Sequence, residues 1–398
     1  MFWHLAHKIA RGAFLMVRKN GRFLLWAVLL CSAFAGLLRW PAEAAQAVRD
    51  SLSLCAGTIL PALFPFFVLS TLVVGSGLAA RLGRPLERCM KALFRVNGAC
   101  AAALVLGLIG GYPVGARTTA ELYRTGRCSA SEARRLLGFC NNAGPSFLIG
   151  VVGVGIFQST KLGLLLECIH IFSALLIGLL CRFVPDTQSA HEKAAEPLSP
   201  ARSISAAALL PRAVQQSVSA LLNVCGFIVL FGVLLKLLNC CGLLRMAAQM
   251  LSALLLPFGV SEQWCTPLLG GMLELCSGVA ALPIGAASIP MAAFLLGWGG
   301  LSVHCQTMSV LEGSGLSIRP CLIGKLLHGA LSAALTALAL KLWPKAISAS
   351  ALLSSPLDLD ALPRLALGVG LFGCGLIVLV FLGGKGEKQA GNWSRNKL

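Results

Sequence analysis

Two short segments of this chain carry polar side chains where the surrounding sequence is apolar. Phe139-Cys140-Asn141-Asn142-Ala143-Gly144-Pro145-Ser146 presents two amides and a hydroxyl, and Gly297-Trp298-Gly299-Gly300-Leu301-Ser302-Val303-His304-Cys305-Gln306-Thr307 presents an imidazole, an amide and hydroxyls. Such groups both donate and accept hydrogen bonds, so Asn141, Asn142, Ser146, His304, Gln306 and Thr307 can either hold a small polar solute or satisfy backbone groups freed by a helix break. Gly144, Gly299 and Gly300 would let a ligand approach the backbone.

Ionisable side chains inside apolar runs are few, and each is a functional candidate. Glu274, in Leu273-Glu274-Leu275-Cys276-Ser277-Gly278, could bind a solute hydroxyl or ring nitrogen or carry a coupling proton. Arg117 could offer a planar, bidentate fork to an anion, anchor the cytoplasmic side, or pair with Glu274. Glu167 and His170 stand three apart, on one helical face, where they can satisfy each other.

The motifs of enzymes are missing. There is no nucleophile-elbow serine, no His-Glu-x-x-His and no phosphate-cradling glycine loop, so neither enzymatic activity nor a cofactor is expected. The sixteen cysteines include no Cys-x-x-Cys pair and lie mostly within apolar runs; they read as small apolar fillers, and no metal site is expected.

The elements that must position these residues are helices in a bilayer. A chain of 398 residues with 57% hydrophobic content and a mean hydropathy of +0.82 carries more apolar surface than a soluble domain can bury. Its apolar runs are continuous instead of alternating, which selects a helical bundle over a barrel. The net charge of +18 comes from short basic clusters between those runs, a positive-inside pattern that argues against nucleic acid as a partner.

Both halves contain an x-Pro-[Val/Ile]-Gly-Ala unit, Tyr112-Pro113-Val114-Gly115-Ala116 and Leu282-Pro283-Ile284-Gly285-Ala286, each followed by one of the polar segments above. Breaks are therefore expected at Tyr112, Pro113 and Gly115, at Gly144 and Pro145, at Pro283 and Gly285, and at Gly299 and Gly300. Paired interruptions in two halves point to a transporter with a midplane site. The run Ala99–Gly111 is too short to cross and has basic residues on both flanks, so it reads as one arm of a re-entrant hairpin. Ser129 and Glu132 have capping-box spacing, predicting a helix from Ala130 into Cys140.

Five parts follow: residues 1–50, a basic segment and first apolar run; 51–184, a first repeat; 185–212, a polar linker; 213–342, a second repeat; and 343–398, a last span and basic tail. The first run, Phe23–Leu38, is either a span or a signal peptide cleaved near Ala42-Glu43-Ala44 or Ala45-Gln46-Ala47, and the membrane character of the rest favours the span. Leu52–Ala80 is kinked by Pro61 and Pro65. Basic clusters place both termini and the linker in the cytoplasm, which makes the two repeats inverted.

The segments around Pro113, Asn142 and Gly299 together resemble those of the sporulation integral membrane proteins called YlbJ or SpoVV, within the nucleoside-recognition, or gate, group that is similar to concentrative nucleoside transporters. The resemblance runs from about Ser51 to Leu342. It implies a multi-pass protein of the bacterial cell membrane, placed in the outer forespore membrane, that moves dipicolinic acid toward the forespore. Helix N-termini, the Asn pair and Arg117 would suit that dianion. Glu274 and Gln306 suit a neutral nucleoside instead, and a scaffold of sporulation that moves nothing is the other alternative. The expected partners are the lipid bilayer and a small-molecule anion; a homo-oligomer and a coupling ion both stay open.

Overall fold

The computed structural model describes residues 24–185 and 206–342, apart from 25, 77–83, 259, 261, 284 and 286. Residues 1–23, most of the polar linker and the whole of 343–398 thus lie outside the described residues, together with the expectations that fall on them. Every regular element among the described residues is helical. Among the described residues, five helices are long and apolar enough to cross a membrane: Pro41–Leu69, Thr160–Cys181, Ala208–Cys240, Ser288–Leu311 and Arg319–Leu342. The chain is an all-α, multi-pass membrane protein.

A short apolar helix, α1 (Trp26–Arg39), leads into the first long span. That span is α2 (Pro41–Leu54) and α3 (Leu60–Gly75), joined by a widened π turn over Cys55–Ile59. It begins well before the expected Leu52, because Pro41 is suited to a first helical turn and Ala44, Ala45 and Ala47 are strong helix formers. The π turn sits immediately before Pro61, whose ring cannot tolerate an ordinary turn beneath it.

Next come α4 (Glu87–Phe94) and α5 (Ala101–Gly110), bent by 102° across the break that separates them. The chain then turns at Gly111, Tyr112 and the cis Pro113 into α6 (Val114–Arg124), which folds back along α5. Gly107 and Gly115 face each other across this hairpin, and the carbonyl of Cys140 fills the space that a Cβ on either would need. The run Ala99–Gly111 thus contributes one arm of a helical hairpin. A capping box starts α7 (Ala130–Leu137): Ser129 Oγ accepts from the Glu132 amide at 3.2 Å, and Glu132 accepts from the Ser129 amide at 2.8 Å. The helix tightens at Gly138, short of the expected Cys140, where the chain passes close to Gly324. Residues 141–144 belong to no helix. They lead into α8 (Ser146–Ile156), a wide π-type coil, and α9 (Thr160–Cys181).

The second half opens with α10 (Ala206–Cys240), so residues 206–212, expected in the linker, belong to a helix. Their Ala and Leu residues favour it. After α11 (Leu243–Leu255) comes a second helical hairpin, α12 (Glu262–Leu273) and α13 (Leu275–Ala280). Its break is one extended residue, Glu274 (φ −136°, ψ 113°), and its arms approach through Gly271 and Gly278. Pro283 and Gly285 are non-helical, as expected, yet they lie in the connection beyond α13 and not at the hairpin tip. The two Pro-Gly-Ala units therefore occupy different structural places.

The last elements are α14 (Ser288–Trp298), α15 (Gly300–Leu311) and α16 (Arg319–Leu342). The break between α14 and α15 is the left-handed pair Gly299 and Gly300, with φ of +90° and +76°, a conformation that other residues seldom adopt. His304, Gln306 and Thr307 stand inside α15, not at the break itself. The apolar window of Ser288–Leu311 is 83% buried against 22% for Pro41–Leu69 and Ala208–Cys240. The broken helix therefore forms the centre of the bundle, and those two spans face lipid.

Candidate functional site

The breaks of the two halves converge on one cavity. From the first half come Gly111 and Tyr112 at the hairpin turn, and Gly144 and Ser146 where α8 begins. From the second come Glu274, Ser302 in the first turn of α15, and Gln306 one turn further on. Ile59 of the π turn, Leu63 and Phe67 of α3, and Val224 and Ile228 of α10 close the apolar side. A small-molecule site has this composition: a largely apolar concavity with a few convergent polar groups.

Two hydrogen bonds tie the halves together around it. Tyr112 donates its hydroxyl to the Leu296 carbonyl at 2.5 Å, and Asn141 Nδ2 donates to Thr307 Oγ1 at 3.0 Å. Thr307 in turn donates to the Val303 carbonyl at 2.9 Å. Asn141 and Thr307 thus act between the halves and not as part of the cavity wall. His304 is buried beside the edge of Trp298, ring centroids 4.3 Å apart, and neither of its ring nitrogens has a partner among the described residues.

Glu274 is fully buried, and its carboxyl oxygens accept from the amides of Cys276 at 3.0 Å and Ser277 at 2.6 Å. It caps the start of its own helix, satisfying amides that nothing else reaches. The pairing with Arg117 does not form. Arg117 is exposed on α6, outside the residues that line the cavity.

Behind the cavity lies a cluster that the sequence reading did not single out. Lys325 of α16 is 1% exposed, and its Nζ donates to Asn142 Oδ1 at 3.4 Å and to His328 Nδ1 at 2.9 Å. The same ammonium position lies 5.2 Å from the centre of the Tyr112 ring. His328 Nε2 donates to the His170 carbonyl at 2.9 Å, and the two imidazoles are tilted by 42° with centroids 4.2 Å apart. His170 Nε2 accepts from the Ala143 amide at 3.2 Å. His170 and Glu167 do not satisfy each other, because His170 Nδ1 and Glu167 Oε2 both lack partners. The signal was present in the sequence: Lys325 and His328 interrupt the apolar run Cys321–Leu342 just as Glu274 interrupts its own.

Comparison with known proteins agrees with this architecture. Residues 56–181 match the Gate family model, described as nucleoside recognition. Over 318 residues the chain is 33% identical to the sporulation integral membrane protein YlbJ of Bacillus subtilis (strain 168), covering 75% of this chain and 78% of that protein. The chain belongs to the YlbJ family of sporulation integral membrane proteins. The Gate match takes in the first hairpin, the Asn141-Asn142 break and α9, so the cavity described above draws its first wall from the matched region and its second from beyond it. No solved structure matches the chain.

Proposed function

We propose that this membrane protein is a transporter that moves a small organic anion, dipicolinic acid, into the developing forespore, by alternating access around the cavity between the two breaks. The two halves act as inverted repeats, with both termini and the linker in the cytoplasm and the outer forespore membrane as the site of action. One observation carries the reading: broken helices from both halves open on the same cavity, with Ser146 and Ser302 in the first turns of α8 and α15. The positive ends of two half-helices facing one cavity suit two carboxylates on one ring. Ser146, Ser302 and Gln306 supply donors for them, and Gly111 and Gly144 admit the ring edge.

A nucleoside is the second reading. Glu274 and Gln306 on the same wall can accept from and donate to a neutral base and its hydroxyls, and the matched family model is described by nucleoside recognition. Purified protein in liposomes separates the two. Labelled dipicolinic acid should exchange across the membrane, unlabelled dipicolinic acid should compete better than picolinic acid or uridine, and Gln306→Ala should slow exchange by about tenfold through loss of a hydrogen bond to a charged group. Arg117→Lys should leave the exchange unchanged. Uridine outcompeting dipicolinic acid would replace the anion with the nucleoside, and no exchange of either would leave the scaffold reading.

A further inference from the structure

The cluster behind the cavity continues as a polar stripe. Lys325, His328, Ser332 and Thr336 repeat at three- and four-residue intervals along one face of α16, and Glu167, His170 and Ser173 do the same along α9, which packs against it. All seven are buried. Five of their polar atoms, Glu167 Oε2, His170 Nδ1, Ser173 Oγ, Ser332 Oγ and Thr336 Oγ1, have no hydrogen-bond partner among the described residues. Unpaired polar atoms in a bilayer are costly, and a seam that concentrates them is a place for water.

The hydrogen bonds fix what each group carries. The His170 carbonyl can only accept, so His328 holds its hydrogen on Nε2 and presents a bare Nδ1 to Lys325. The Ala143 amide can only donate, so His170 holds its hydrogen on Nδ1, where no acceptor stands, one helical turn from the unpaired oxygen of Glu167. Lys325 has no carboxylate partner among the described residues. Its titratable surroundings are Cys321 and His328 on α16, His170 on α9, Cys140 after α7, Tyr112 at the hairpin turn and His304 on α15, with Asn142 as the neutral acceptor.

We propose that the α9–α16 seam is a hydrated proton path and that Lys325 carries the proton that couples transport to a proton gradient. The proposal rests on the transport reading. In each cycle the Lys325 amine takes one proton that arrives along the seam, and the ammonium is held by Asn142 Oδ1, His328 Nδ1 and the Tyr112 face. The same proton leaves as the solute is released on the opposite side, so one proton crosses and the amine is restored. Solute and proton sense each other through one non-helical segment, 141–144. Its Gly144 borders the cavity, while Asn142 and Ala143 face the Lys325 and His170 groups.

The test uses the full chain in liposomes, dipicolinic acid and uridine as separate probes, and two readouts: exchange without a gradient, and accumulation driven by a pH gradient. Wild type should show both for one probe. Lys325→Gln should keep exchange and lose gradient-driven accumulation, and Ser332→Ala, a milder change, should slow the driven uptake while leaving exchange intact. Accumulation that persists in Lys325→Gln, loss of exchange together with accumulation in that variant, or a wild type that exchanges but never responds to the gradient would overturn the proton role. A wild type that exchanges neither probe would overturn the transport reading, and the coupling with it.

Discussion

The two halves solve one problem in different ways. Each interrupts a helix inside the bundle, and each must satisfy the backbone groups so released without bulk water. In the first half the break is four residues long, 141–144, and its partners come from distant elements: His170 takes the Ala143 amide, Lys325 and the Phe139 carbonyl hold the Asn142 side chain, and Thr307 holds Asn141. In the second half the hairpin break is one residue long, and Glu274 satisfies the next helix with its own carboxyl group. The first arrangement spreads its dependence over three helices, whereas the second concentrates it in one side chain.

The glycines that close the hairpins give the largest expected effects. A Cβ on Gly107 would fall 1.8 Å from the Cys140 carbonyl oxygen, and one on Gly278 would fall 2.0 Å from the Gly271 Cα. Backbone cannot yield there as a flexible side chain would. Gly107→Ala and Gly278→Ala should each destabilise the purified protein by about 4 kcal/mol or more in detergent unfolding. A Gly107→Ala variant of near wild-type stability would mean that the first hairpin and the Asn141-Asn142 break do not pack as described.

Substitution of Glu274 should rank next. Glu274→Ala strands two buried amides and should cost about 2 kcal/mol, and Glu274→Gln, which retains one acceptor oxygen, about 1 kcal/mol in the same unfolding measurement. No single substitution among the partners of the first break should show this graded pair, because there the load is shared. Equal costs for Gln and Ala at position 274 would remove the capping role.

Much of the architecture was legible in the sequence. The capping box at Ser129 located the start of α7, the short basic-flanked run gave the first hairpin, and Gly299-Gly300 marked the break between α14 and α15. The second-half hairpin was less legible: Pro283 marks a non-helical connection, as expected, while the hairpin turns at Glu274, whose carboxyl group caps the following helix. Sequence spacing also could not show that Arg117 points away from the cavity, since only the register of α6 against α5 decides which face is buried. Lys325 was missed because hydropathy averaged over its run hides one charge, whereas its burial becomes evident only when α9 is packed against α16.

The central claim is that solute occupies the cavity between the two breaks. In a cysteine-depleted protein carrying Ser302→Cys, a membrane-permeant maleimide should label the new thiol, and dipicolinic acid should slow that labelling while leaving a thiol placed by Arg117→Cys unaffected. Protection at position 117 with none at 302, or labelling at 302 that no solute alters, would contradict the account.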